Sequence, residues 1–404
     1  PALEPVLRRL VDAHLISAVA APDAAFQFRH ALIQEAAYDS QIQADRREAH
    51  RRVADALSRR HPQRAVQQPA EIAHHYTCAG DPAAAIRWWL SAGRQALRVS
   101  ATAEADKHLR EGLNLLDQLP RGEERDSQEA ALLLSLGQAV QLGRGYGSQD
   151  AARIYDRAFE LSHERLPLKQ RFEILWGLWT VSSSRPGYGF PQARELAREL
   201  LELATHGADR ELLAKAHTAN ANVALWLDRP DEACRHARAG AEAGDRLQNT
   251  MGGLDPAVAC LAYQSWAHWK QHRTSDALAA SRRSLARARS LDDPDSLCAA
   301  LGFAAMLERF LGNIQAVADH TRELQSVADL YQLATWQGLG RMLQAWMRVR
   351  QGDEGGIAVL QACAQGIQQI MPSVAAIFLH ALAEAYGFLH RYDEQSQAIA
   401  DGLQ

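Results

Sequence analysis

The segment Ala305-Met-Leu-Glu-Arg-Phe-Leu-Gly312 has the same outline as the segment Ala345-Trp-Met-Arg-Val-Arg-Gln-Gly352, forty residues further along the chain. In each segment a small residue stands seven positions before a residue suited to a tight turn. Small side chains let two antiparallel helices pack closely, and glycine ends a helix readily because it adopts a left-handed backbone. The recurrence predicts a stack of similar helix pairs.

The same spacing occurs at six turns. The turn residues are Gly80, Asp228, His272, Gly312, Gly352 and His390, and the small residues seven positions earlier are Ala73, Ala221, Ser265, Ala305, Ala345 and Ala383. Twelve positions after five of the turns stands another small residue, at Ala92, Gly240, Ser284, Ala364 and Gly402, with Leu324 as the exception. Most turns are about 40 residues apart, a register typical of a tetratricopeptide-type solenoid. We predict an all-α, right-handed α-solenoid of about eight helix pairs, which binds partners rather than catalysing a reaction.

Residues 1–62 lack this repeat. Their sequence predicts a helix over 7–14, a strand over 25–28, and helices over 31–38 and 46–57. A strand followed directly by a helix suggests a small winged-helix-like unit. The polar, proline-flanked stretch 61–68 is typical of a boundary, so residues 63–404 are predicted to form the solenoid domain.

The bulk composition favours protein or small-molecule partners. The chain has 404 residues and a formal net charge of −4, which gives no reason to expect direct binding of nucleic acid or an anionic membrane. No stretch approaches the roughly 18 apolar residues of a membrane span, and no signal peptide opens the chain. We therefore expect a cytoplasmic protein. Because the chain starts at Pro1 rather than methionine, we expect a piece of a longer protein.

The sequence contains no motif that predicts catalysis or metal binding. The five cysteines form no CxxC pair, and His74 and Cys78 lie one helical turn apart without a third ligand nearby in sequence. The segment 143–147 (GRGYG) departs from GxGxxG spacing and follows no strand, so it is interpreted as a long turn between helices. No GxSxG elbow is present. We predict no catalytic residue and no metal.

The repeat register places a set of large and polar residues on the inner, concave face of the solenoid. They are Trp176, Trp179, Asn222, Trp226, Trp266, Trp269, Met306, Arg309, Trp346, His380 and Glu384. Concave faces of such solenoids bind peptides, and tryptophan and arginine are favoured anchors. One interpretation is a ligand-binding groove. The other is that the tryptophans fill the interfaces between helix pairs.

Several longer motifs resemble a known class of signalling protein. Residues 26–38 (FQFRHALIQEAAY) with 46–50 (RREAH) resemble the segment that follows the nucleotide-binding domain in STAND-class signalling ATPases. Residues 253–263 (GLDPAVACLAY), 146–161 and 381–387 (ALAEAYG) resemble the C-terminal region of bacterial proteins that combine an ATPase module with tetratricopeptide repeats. Such proteins carry an N-terminal class III adenylate/guanylate cyclase or a DNA-binding output domain.

The resemblance implies a sensor region without its ATPase core. No GxxxxGK[ST] phosphate loop occurs, and none of the four lysines follows a glycine-rich loop. ATP or ADP would therefore belong to an upstream module, with no cofactor in this chain. In that module's closed state, the resemblance implies that His30 contacts the β-phosphate of ADP; otherwise His30 caps or packs at the start of its helix.

The expected function follows from these points. A peptide, protein or small effector would bind the concave groove and bias the packing of residues 1–60 against the upstream ATPase and output domains. The alternative is a passive oligomerisation scaffold that brings cyclase or DNA-binding output domains together. A scaffold must self-associate without ligand, which separates the two hypotheses.

Overall fold

The computed structural model describes residues 3–19, 25–60, 62–161, 166–184, 189–245, 254–370 and 374–403. The chain divides into two compact units, Pro1–Trp89 and Leu90–Gln404. The predicted domain boundary between residues 62 and 63 falls within the first of these units and stays a prediction.

The first unit combines helices with one small sheet. Its elements are α1 Leu3–Asp12, β1 Ile16–Val19, β2 Ala25–Phe28, α2 Ala31–Asp39, α3 Gln43–Arg60, α4 Pro62–Gln67 and α5 Pro69–Ala79, followed by the start of α6 Pro82–Arg98. The two strands are antiparallel, with Ile16 opposite Phe28. The sequence predicted β2 and missed β1, although each strand has four residues. The stretch predicted as a boundary contains α4. The winged-helix interpretation stays a prediction.

The second unit is built from consecutive helices. After α6 come α7 Thr102–Asn114, a single 3₁₀ turn Leu116–Gln118, α8 Glu123–Arg144, α9 Gln149–Glu160, α10 Leu168–Ser184, α11 Gly189–Gly207, α12 Arg210–Trp226, α13 Pro230–Gly244, α14 Pro256–Lys270, α15 Thr274–Ser290, α16 Pro294–Phe310, α17 Ile314–Leu330, α18 Ala334–Arg350, α19 Gly356–Ile370, α20 Ala375–Phe388 and α21 Tyr392–Leu403. Within the described ranges no strand follows Phe28. The predicted all-α solenoid is confirmed.

All six predicted turn residues adopt a left-handed backbone. Their φ values lie between 55° at Asp228 and 92° at Gly352. In each turn the next backbone N–H donates to the carbonyl five residues earlier, as Asn313 does to Glu308 at 2.9 Å. This is the hydrogen bond that closes a helix whose last residue is left-handed. The turns therefore end the first helix of each pair as the sequence predicted.

The small residues seven positions before the turns are all in the interior. Ala73, Ala221 and Ala305 are completely buried, and Ala383, the most exposed of the six, is 4% exposed. Close packing also occurs at Gly240, one of the small residues twelve positions after the turns. A Cβ added there would come within 2.4 Å of the Cys260 Sγ. Close helix contact at these positions requires small side chains.

Candidate functional site

A cavity of about 590 Å³ lies within the second unit. Most of its lining comes from the first helices of successive pairs, α8, α10, α12, α14, α16, α18 and α20, and α6 contributes three residues, Arg94, Leu97 and Arg98. The first helices share this role because the repeat turns the same face of each one toward the same side. The cavity is therefore a product of the repeat itself.

Tryptophans form much of the cavity wall. The ring centroids of Trp176 and Trp179 on α10 are 4.9 Å apart, and those of Trp226 and Trp266 are 6.0 Å apart in an edge-to-face arrangement. Trp266 is fixed in place because its Nε1–H donates to the Phe303 carbonyl at 3.1 Å. These spacings are typical of favourable aromatic pairs. The wall offers flat apolar surfaces to a ligand.

Polar groups lie among these rings. The Lys215 Nζ is 2.8 Å from the Glu173 Oε1 and 3.6 Å from the Glu211 Oε1, and the Lys169 Nζ is 3.2 Å from the Glu211 Oε2. Burial alone would lower the pKa of Lys215, but the two carboxylates outweigh it and the pKa is raised. The lysines and glutamates of the lining therefore neutralise one another.

Two buried donors in the lining have no acceptor among the described residues. They are the Gln141 Nε2 and the Trp179 Nε1. The other end of the Gln141 amide is occupied, because its Oε1 accepts a hydrogen bond from the Tyr155 hydroxyl at 3.1 Å. Buried donors are nearly always paired in folded proteins. Because both donor atoms are themselves buried, they do not lie on the accessible surface of the cavity.

The structure divides the eleven predicted groove residues into two groups. The cavity lining contains Trp176, Trp179, Asn222, Trp226, Trp266 and Met306. The lining does not include Trp269, Arg309, Trp346, His380 and Glu384. Trp179 and Trp266 of the first group are also buried, so the packing interpretation applies to residues of both groups, and ligand contact by the first group stays a prediction.

The second group contains a polar cluster that joins α16, α18 and α20. The Arg309 Nη2 donates to the His380 Nδ1 at 2.7 Å and to the Glu384 Oε2 at 2.8 Å. The same carboxylate oxygen accepts from the Trp346 Nε1 at 2.9 Å. Arg309 is 3% and Trp346 1% exposed, so neither side chain is available to a ligand in this structure. Trp269 stacks on Phe310 with ring centroids 4.4 Å apart.

A buried contact that the sequence did not predict closes part of the cavity wall. The hydroxyl of Tyr146, in the turn between α8 and α9, donates to the Asp295 Oδ2 at 2.7 Å. The Trp336 Nε1 donates to the other oxygen of the same carboxylate at 2.6 Å. Burial raises the pKa of Asp295. The GRGYG segment is a turn, as predicted, but its tyrosine reaches a helix that starts 148 residues later.

His30 occupies the N-cap position of α2. Its backbone is extended, with φ −136° and ψ 137°, and its exposed side chain makes no capping hydrogen bond. The phosphate contact implied for His30 stays a prediction, because it involves an upstream module. His74 is 3.6 Å from the Cys78 Sγ, and no group of three or more potential metal ligands is assembled in the described part of the chain. None of the described helices combines the length and apolar character needed to cross a bilayer.

Comparison with known proteins identifies the fold. No protein-family model matches the sequence. An uncharacterized protein of Rhizobium meliloti (strain 1021) is 23% identical over 346 residues, which cover 83% of this chain and 33% of that protein. The chain therefore spans about a third of the length of this relative.

Two solved structures are similar over most of the chain. A Rap protein complexed with competence and sporulation factor matches with a TM-score of 0.62 at 12% identity, covering 89% of this chain and 96% of that one. The Signal Transduction ATPase with Numerous Domains (STAND) protein with a tetratricopeptide repeat sensor, from Pyrococcus horikoshii, matches with a TM-score of 0.52 at 11% identity, covering 98% and 58%. At such low identity these likenesses show the fold alone: a helical-repeat solenoid of the tetratricopeptide-like kind.

Proposed function

We propose that this chain is the sensor region of a larger signalling protein and binds a short peptide or a small molecule in its cavity. The observation that carries the proposal is the cavity of about 590 Å³ with its tryptophan wall. Small-ligand sites are typically concave, mostly apolar, and roughly 300–1,000 Å³ in volume, with a few placed polar groups. The cavity has each of these properties.

The Rap protein and the STAND protein support this role as analogies. The Rap protein was solved in complex with competence and sporulation factor, and the STAND protein carries a tetratricopeptide repeat sensor. Both share the fold of this chain. We extend the analogy to a parent protein with an upstream ATPase module that holds ATP or ADP and a cyclase or DNA-binding output domain, acting in the cytoplasm.

The proposed signal is a shift between two states of the helix stack. A ligand that contacts α8, α10, α12, α14 and α16 together binds best when these helices keep one mutual arrangement. It therefore stabilises that arrangement by its difference in affinity for the two states. In the parent protein, the favoured state would change the packing of residues 1–60 against the ATPase module.

The test is an equilibrium selection of random hexapeptides on the immobilised chain. The variant Thr180→Trp places an indole in the cavity, since Thr180 lines it and is only partly buried. We expect peptides enriched on the natural chain to be lost on this variant. The control is Thr274→Trp, because Thr274 is exposed and lies outside the lining.

The control variant should retain the enriched peptides, and both variants should keep the helical circular dichroism of the natural chain. Peptides that bind Thr180→Trp as well as they bind the natural chain would contradict a binding site in the cavity.

A further inference from the structure

We infer that the contact between α8 and α18 is a latch, held by Tyr146, Asp295 and Trp336, which closes the helix stack around the cavity and so controls how tightly a ligand binds. This inference rests on the proposed function, because the ligand is the one that the cavity would hold. It names the physical difference between the two states of the stack: the latch is closed in one state and open in the other.

The contact between α8 and α18 is not one that the repeat requires. In a solenoid, each helix pair packs against its neighbours along the chain, and most helix contacts in the second unit follow this rule. The pair that begins with α8 and the pair that begins with α18 are separated by four other pairs, yet α8 packs against α18. Two distant parts of the stack therefore meet directly, and both of them line the cavity.

One buried carboxyl group holds this closure together. The Tyr146 hydroxyl donates to the Asp295 Oδ2 at 2.7 Å, and the Trp336 Nε1 donates to the Oδ1 at 2.6 Å. Tyr146 follows α8, Trp336 lies on α18, and Asp295 lies in the first turn of α16. Asp295 therefore bonds both sides of the closure at once. Hydrogen bonds of this length to a carboxylate are among the stronger ones in proteins.

The latch is poised between its two states because desolvation opposes its hydrogen bonds. Asp295 is 3% exposed. Burial raises its pKa, while the bonds from Tyr146 and Trp336 act in the opposite direction. Removing a carboxylate from water costs free energy that its hydrogen bonds must offset, and water replaces the two donors when the latch opens. The closed and open states therefore differ in free energy by much less than the strength of the bonds themselves.

The loop that carries Tyr146 is suited to such a change. The tyrosine lies between Gly145 and Gly147, and Gly145 has a left-handed φ of 97°. Glycine adopts many backbone conformations that other residues avoid. The loop can therefore rearrange when the two sides of the closure separate.

The latch also contacts the ligand site. Tyr146 and Trp336 line the cavity, whereas Asp295 is outside the lining. A ligand that contacts both lining residues binds best when the latch holds them in place, so binding favours the closed state. By linkage, closing the latch raises the affinity for the ligand by the same factor.

The test compares variants by calorimetric titration with the hexapeptide most enriched in the selection. Tyr146→Phe keeps the ring but removes one bond to Asp295. Asp295→Asn also loses a bond, because an amide presents an oxygen to only one of the two donors, and it leaves the cavity lining unchanged. The control is Tyr386→Phe. It removes a hydroxyl that accepts from the Gln361 Nε2 at 2.8 Å, between the neighbouring helices α19 and α20 and outside the lining.

We expect Tyr146→Phe and Asp295→Asn to weaken hexapeptide binding about threefold or more, because only the closed fraction of the chain binds tightly. Small-angle X-ray scattering without peptide should give both variants a larger radius of gyration than the natural chain. Saturating peptide should restore the natural value, which a merely structural role for these residues would not produce. Tyr386→Phe should match the natural chain in both measurements.

The outcomes separate this inference from the proposed function. Unchanged affinity in Tyr146→Phe and Asp295→Asn, or weaker binding without a larger radius of gyration, overturns the inference. An equal change in Tyr386→Phe overturns it as well. If the hexapeptide binds the natural chain and is lost on Thr180→Trp, the proposed function stands even when the latch fails. The scattering of the peptide-free variants is measured in either case, so the latch and the proposed function can fail separately.

Discussion

The turn residues show how single positions determine the ends of the helices. Three of the six, Asp228, His272 and His390, hold a left-handed backbone without being glycine. For residues with a Cβ this conformation costs roughly 1–2 kcal/mol. The cost is tolerated because the hydrogen bonds that close the helix and the packing of the next helix require the turn.

We predict that His272→Gly stabilises the protein by about 1 kcal/mol, because glycine adopts the φ of 60° found at His272 without strain. The reverse change, Gly312→Ala, should destabilise by a similar amount. A Cβ at Gly312 would meet nothing within 4 Å, so this variant isolates the backbone strain. Urea unfolding measures both. Destabilisation by His272→Gly would show that the imidazole makes a contribution beyond the turn.

Two tryptophans predicted for the same groove should behave differently. Trp346 is 1% exposed and donates to Glu384 at 2.9 Å, so we expect Trp346→Ala to destabilise the protein by roughly 3–5 kcal/mol. Trp176 is partly exposed to the cavity, so Trp176→Ala should cost less stability and should weaken binding of the selected peptides. Thermal unfolding and peptide titration check the two effects. Equal losses of stability would contradict the assignment of Trp346 to packing and Trp176 to the cavity.

At the scale of the elements, one aromatic ring fixes the approach of three helices. Tyr155 of α9 packs against Gly137 of α8 and Gly177 of α10. An added Cβ would come within 2.5 Å of the Tyr155 ring at Gly137 and within 2.0 Å at Gly177. The two glycines are forty residues apart. Two helices separated by one repeat length therefore each carry a glycine where the Tyr155 ring packs. The ring also positions Gln141 through its hydroxyl.

We predict that Gly177→Ala destabilises the protein by roughly 1–3 kcal/mol, because the new methyl group must displace the Tyr155 ring. Gly366→Ala, in α19, is the matched control. A Cβ there meets nothing within 4 Å, and alanine favours a helix over glycine by about 1 kcal/mol. The two variants should therefore change the urea midpoint in opposite directions. A Gly177→Ala variant as stable as the natural chain would contradict the packing of Tyr155 against this glycine.

The start of α16 carries two neighbouring carboxyl groups, the partly buried Asp293 and the buried Asp295, with a predictable pH dependence. Burial, followed by the neighbouring Asp295, raises the pKa of Asp293 to about 6. The folded state therefore binds this proton more tightly than the unfolded state, whose aspartates titrate near 3.9. Stability from this group is present at low pH and is lost as the pH rises from about 4 to about 6.

We predict that Asp293→Asn gains stability relative to the natural chain as the pH rises through this window. An asparagine oxygen can still accept from the Ser296 backbone N–H, which Asp293 binds at 3.1 Å. Melting temperatures of both proteins between pH 4 and pH 7.5 give the comparison. A difference between them that does not vary with pH would show that Asp293 titrates normally.

Local features were predictable from the sequence, and long-range contacts were not. Residues next to the turns determine where each first helix ends, so the spacing predicted those ends. The hydrogen bond from Tyr146 to Asp295 joins residues 149 positions apart. The repeat spacing in the sequence does not predict such a contact. The register also predicts which face of a helix is turned inward, but not how far the next pair covers that face. For this reason Trp266 lines the cavity while Trp346 packs beneath Arg309.

At the scale of the whole molecule, the account depends on the cavity that the stacked first helices create. Its lining comes from α6 and from the first helices of several successive pairs, α8, α10, α12, α14, α16, α18 and α20. No single helix pair forms it. A ligand that contacts several of these helices therefore reports on the arrangement of many pairs at once, which is the property that a sensor requires.

The nine tryptophans allow this account to be tested directly. Five line the cavity, Trp176, Trp179, Trp226, Trp266 and Trp336, and four do not, Trp88, Trp89, Trp269 and Trp346. The measurement is ¹⁹F NMR of the chain labelled with 5-fluorotryptophan, titrated with the hexapeptide most enriched in the selection. Each resonance is assigned by a single tryptophan-to-phenylalanine variant. We predict that the resonances of the cavity tryptophans shift while those of the other four stay in place. Shifts confined to Trp88, Trp89, Trp269 or Trp346 would contradict ligand binding in the cavity.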